Sequence, residues 1–148
     1  MRPLAVMTAL LGGPLLAAPV PKAIKVKADD EAILGVWMVA AVDGLDARLL
    51  SADEVAQSRF YFLEDGLFVF DTPTSWSHGG KFKLDAKAVT KRLNFTRGDW
   101  TFGGLYELDG DTLTLCWNLK DGQAPQELKA DGQGVVVWTL KRVADEQK

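Results

Sequence analysis

Residues 101–118 read TFGGLYELDGDTLTLCWN, two runs of alternating apolar and polar residues around Asp109-Gly110. Glycine reaches positive φ without strain and aspartate tolerates it, so the pair predicts a two-residue turn between antiparallel strands. In that register Leu108 opposes Asp111, Tyr106 opposes Leu113, Gly104 opposes Leu115 and Phe102 opposes Trp117. Directly opposed residues share a face of the sheet. Phe102, Tyr106, Leu113, Leu115 and Trp117 therefore form the core side, with Leu105, Glu107, Thr112, Thr114 and Cys116 on the other.

The same grammar extends in both directions. Asp43-Gly44, Asp65-Gly66, Asp121-Gly122 and Asp131-Gly132 are further turn signals between short apolar runs, the spacing of an all-β sandwich or barrel. Strands are predicted over 35–42, 59–63, 67–72, 80–84, 92–96, 101–108, 111–118 and 135–142, with a short ninth over 126–129. The one helix of note is predicted over 51–58, where Ser51 and Glu54 have capping-box spacing. Around Asp65-Gly66 both alternations are apolar: Phe60, Phe62 and Val69 on one face, Tyr61, Leu63, Phe68 and Phe70 on the other. A strand apolar on both faces needs a cover on each. Tyr61, Leu63, Phe68 and Phe70 thus form a candidate outer surface for the 51–58 helix, a loop or a partner protein.

Gly35-Val36-Trp37 opens the first strand, Tyr106 to Leu113 reads YELDGDTL ahead of Cys116, Gly80 to Asp85 reads GKFKLD, and Val137 to Val143 reads VWTLKRV. With these segments the chain resembles a family of small planctomycete domains of uncharacterised function, regarded as lipocalin-like. The resemblance spans roughly 33–143. It implies an antiparallel lipocalin-like β-barrel of about eight strands with one short helix after the first strand. Gly35-Val36-Trp37 also resembles the G-x-W signature of lipocalins, whose tryptophan closes one barrel end beneath a basic residue of the last strand. Trp37 matches that tryptophan, with Arg142 or Lys141 as the cation, a pairing favoured by cation–π attraction. The family carries no catalytic residues over to this chain.

Arg2 followed by an uncharged run over 4–18 that ends in Ala17 and Ala18 is the pattern of a secretory signal, with cleavage after 18 or as late as 23. Gly12, Gly13 and Pro14 interrupt the run, which is also shorter than the ~20 residues of a membrane span. The expected organisation is a signal peptide over 1–18, a flexible tether over 19–32, the barrel over 33–143 and a short tail over 144–148. The expected address is periplasmic or extracellular, with no membrane span in the mature protein. The chain of 148 residues suffices for one domain. Its net charge of −3 and interspersed Lys and Arg argue against a nucleic-acid partner. The single cysteine, Cys116, excludes an internal disulfide and reads as a packed, inert thiol.

No catalytic constellation is legible. His78 and Cys116, the only histidine and cysteine, lie in different segments, too few ligands for a metal site. Ser75, Ser77 and His78 lack a nucleophile elbow. Glu64-Asp65 and Asp109 with Asp111 straddle tight turns, where aspartate serves geometry. No cofactor is expected. Five tryptophans remain, and of these Trp76 and Trp100 sit at strand edges, where a ring can grip an apolar ligand or a partner. Two functions stay open. One is a binding protein for a small apolar ligand, its cup lined by Phe60, Phe62, Phe82, Phe95, Tyr106 and Trp117. The other is a cell-envelope interaction or structural module in which those rings fill the barrel.

Overall fold

The computed structural model describes residues 27–44, 51–74 and 77–144. After a short helix α1 (Asp29–Ala32) the chain runs through β1 (Gly35–Asp43), helix α2 (Ala52–Gln57), β2 (Arg59–Leu63), β3 (Leu67–Asp71), β4 (Ser77–Asp85), β5 (Arg92–Arg97), β6 (Trp100–Asp109), β7 (Thr112–Asn118) and β8 (Val135–Arg142). Every strand pairs antiparallel with the next, and β8 pairs with β1, so the sheet closes into an eight-stranded barrel. Closure removes the exposed edges that an open sheet would present. The expected all-β barrel with one short helix after the first strand is the fold observed.

The register fixes two ends. Gly35, Leu63, Leu67, Asp109, Thr112 and Arg142 mark one, where α1 sits; Asp43, Asp71, Ser77, Arg97, Trp100 and Asn118 mark the other, where α2 sits. The α2 capping box is complete: Ser51 Oγ accepts from the Glu54 amide at 3.3 Å, and Glu54 Oε2 accepts from the Ser51 amide at 2.8 Å. Val55 turns from this helix onto the interior cluster.

Turn length corrects the face assignments. β6 and β7 pair Asp109 with Thr112 and Tyr106 with Leu115, so the turn is Gly110-Asp111, with Gly110 at φ +55°. Glycine at the first central position is what a type II′ turn uses. The slip from the predicted register is two residues, which leaves every side chain on its predicted face. Between β2 and β3 the loop has three residues, a 3₁₀ turn at Glu64–Gly66 with Asp65 at φ +65° and Gly66 at φ +71°. That odd residue swaps faces. Phe60 opposes Phe70 and Phe62 opposes Phe68, so Phe68 and Phe70 point inward, contrary to their expected place on the outer surface. The outer apolar face of this hairpin is Tyr61, Leu63, Leu67 and Val69, with Leu63 43% and Leu67 42% exposed.

Two other expectations change. Residues 126–129 form bends, not a ninth strand. The connection over 119–134 instead lies on the outer wall, where Leu128 packs on Leu105, Cys116 and Val135. Its shape comes from aspartate and asparagine side chains that accept from amides two residues on, as Asp121 does from Gln123 (2.9 Å) and Asp131 from Gln133 (2.7 Å). Asp29–Ala32, expected within the flexible tether, is docked: Ile33 just after it is fully buried in the core.

Candidate functional site

The rings proposed as a cup lining meet one another inside the barrel. Phe60 lies 4.5 Å from Phe70, 5.8 Å from Trp138 and 6.0 Å from Trp117, measured between centroids. Phe62 meets Phe82 edge-on at 5.1 Å, Phe95 lies 4.4 Å from Phe68 and 5.5 Å from Trp117, and Trp117 lies 5.9 Å from Trp138. These are contact distances for aromatic pairs. Phe60, Phe62, Phe95 and Tyr106 are buried, whereas Phe82 and Trp117 are half-buried. Two concavities lie on the outer wall, one beside Leu67, Gly79 and Thr96 and one beside Val89, Leu105 and Pro125. Among the described residues these rings pack on one another across the middle of the barrel.

At the α1 end Arg142 lies over the Trp37 ring, 4.2 Å from its centroid. Its Nη1 donates to the Leu34 carbonyl at 2.8 Å, Nη2 donates to the Ala32 carbonyl, and Nε donates to Asp111 at 3.2 Å. The Trp37 indole donates to the Ile33 carbonyl at 2.7 Å. Gly35 makes the approach possible, because a Cβ there would stand 3.1 Å from Arg142 Nη1 and its φ is +123°. Beside this plug, Asp29 Oδ2 accepts from Tyr106 Oη and from Lys91 Nζ, both at 2.7 Å. Tyr106 is thus an anchor for α1 and is not exposed to a ligand. Burial, then the Asp29 hydrogen bond and charge, hold the Tyr106 phenol above its ordinary value.

Burial by itself raises the Asp29 carboxyl, but the hydrogen bonds from Lys91 and Tyr106 and the Lys91 charge together hold it below its ordinary 3.8. A carboxyl depressed in the folded state adds stability that is present above its unfolded value and lost as pH falls through its folded value. The stability difference between the wild type and Asp29→Asn should therefore be largest above about pH 5 and shrink below about pH 4. Urea denaturation at pH 6 and pH 3 measures it. An unchanged difference would mean that the charge on Asp29 contributes nothing.

At the α2 end the rings are less covered. Phe70, Phe102 and Trp117 are half-buried, and Trp100 is 71% exposed, stacked on Phe102 at 6.2 Å and 18° between planes. Just inside them Trp138, 4% exposed, has an indole N–H that is buried and has no acceptor among the described residues. His78 and Arg97 take inward register positions at this rim, two residues beyond Gly80 and Phe95, and Arg97 Nη1 contacts His78 Nδ1. Trp76 and Ser75 lie outside the described residues. No protein-family model matches the chain, and no curated protein matches it in sequence.

Arg97 and Trp138 are the features of this end that pattern reading missed. Arg97 could have been found by counting two positions on from Phe95 along one face; the unpaired indole belongs to packing, which no period reports. Cys116 is buried against the 119–134 connection, its thiol 3.5 Å from the Glu127 carbonyl and pushed up by burial. Among the described residues no group of three or more His, Cys, Asp or Glu is placed to hold a metal ion. No helix among them is long and apolar enough to cross a membrane.

Proposed function

We propose that this is an exported lipocalin-like domain that binds a small apolar ligand at the α2 end of its barrel, without catalysis. The observation that carries the reading is the half-buried shelf of Phe70, Phe102 and Trp117 topped by the exposed, stacked Trp100. A large ring left mostly in water at the rim of a barrel is better explained by a ligand than by the core. The unused Trp138 donor beneath the shelf supports it, since an unpaired buried donor costs about 1 to 3 kcal/mol that a ligand acceptor offsets. The apolar segment over 4–18 supports export to the periplasm or beyond.

A second reading, an envelope interaction or structural module with no ligand, is favoured by the ring contacts that occupy the barrel centre. Native mass spectrometry of the mature protein, purified gently from its host and then extracted under denaturing conditions, separates the two. A stoichiometric small apolar molecule supports binding. A mass that stays bare after exposure to lipids and hydrophobic dyes overturns it and leaves the filled module.

A further inference from the structure

We propose that the ligand of the α2 end is an amphipathic anion, its acidic head held by Arg97 and its apolar body laid on Trp100 and the rings beside it. This rests on the binding reading above and adds the chemical class. Arg97 and Trp100 are register partners across the turn that joins β5 to β6, so a cation and an open aromatic face stand side by side. Both continue the inward alternation of their strands, after Phe95 and Phe102.

Acidic groups border this rim: Asp99 lies exposed in the turn between Arg97 and Trp100, outside the inward strand positions. Asp43 pairs with Val137, and Asp71 with Arg59 and Ser77, all in register positions one step out of phase with the inward Phe70 and Trp138. Glu54 is engaged by the Ser51 amide and by Thr74 Oγ1 at 2.7 Å. Among the inward strand positions of this end the one formal charge is therefore the Arg97 guanidinium. Its contact with His78 uses Nη1 alone, and its other donors have no protein acceptor among the described residues. That contact aims the fork, and a forked pair of donors fits a carboxylate or sulfonate.

Two fluorescent probes with the same aromatic body test the idea: anilinonaphthalenesulfonate, which carries an anionic head, and phenylnaphthylamine, which does not. Wild-type protein should bind both, the sulfonate about tenfold more tightly, with the preference falling as salt rises. Arg97→Gln should erase the preference and leave the neutral probe unchanged, while Trp100→Ala should weaken both; near-UV circular dichroism checks that each variant is folded. Equal binding of the two probes by the wild type, or a preference that survives Arg97→Gln, overturns the anionic class and leaves the apolar shelf standing. Failure of both probes to bind overturns the shelf itself.

Discussion

Phe60→Ala is expected to lower the free energy of unfolding by about 3 to 5 kcal/mol, the range for removing a buried aromatic ring from a packed core. The ring is 2% exposed and touches Phe62, Phe70, Trp117 and Trp138, which lie on four different strands. Closed barrels relax poorly, because each wall strand is hydrogen-bonded on both sides, so the space left by the ring stays largely open. Urea denaturation should show the midpoint falling with little change in slope. A loss below about 1 kcal/mol would mean that the rings sit loosely with room to shift. The deep cup would then regain the ground that the packed centre takes from it.

The contrast between the two turns explains how much of this was legible in the sequence. Strand existence follows from alternation and from turn residues, and β2 and β8 fall at their predicted bounds. Facing depends on turn length, which composition leaves open. A two-residue misplacement at Gly110 was harmless, whereas one extra residue at Glu64–Gly66 sent Phe68 and Phe70 inward. The α1 docking was invisible for another reason: Asp29 meets Lys91 and Tyr106 across long stretches of chain, and a polar helix of four residues has no period to detect. Whether inward rings fill a barrel or line it is decided by how they interdigitate, so Phe60, Phe62 and Phe95 read alike under either function. The rim was legible in part. Trp100 stood out as a large ring at a strand edge, but Arg97 gained meaning only once its register partner was known.

Arg142→Met is expected to cost about 2 to 4 kcal/mol, since it leaves part-buried carbonyls without donors and removes the cation from the indole face. Methionine keeps much of the stem's packing on the Trp37 ring, so the loss reports the guanidinium more than the hydrophobic stem. The groups affected are the Ala32 and Leu34 carbonyls at the end of α1 and just beyond it, together with Asp111 in the turn before β7. Arg142→Lys separates charge from shape: a lysine retains the cation over Trp37 but cannot serve both carbonyls with a planar fork, so it should recover less than half of the loss. Full recovery would assign the effect to cation–π attraction alone. If Arg142→Met were instead neutral, the Asp29–Tyr106–Lys91 contacts would have to hold α1 unaided, and the stability of Asp29→Asn in that background would settle it by collapsing. In either case binding at the far rim should be untouched in the folded variant, because Arg142 and Trp100 mark opposite ends of the barrel.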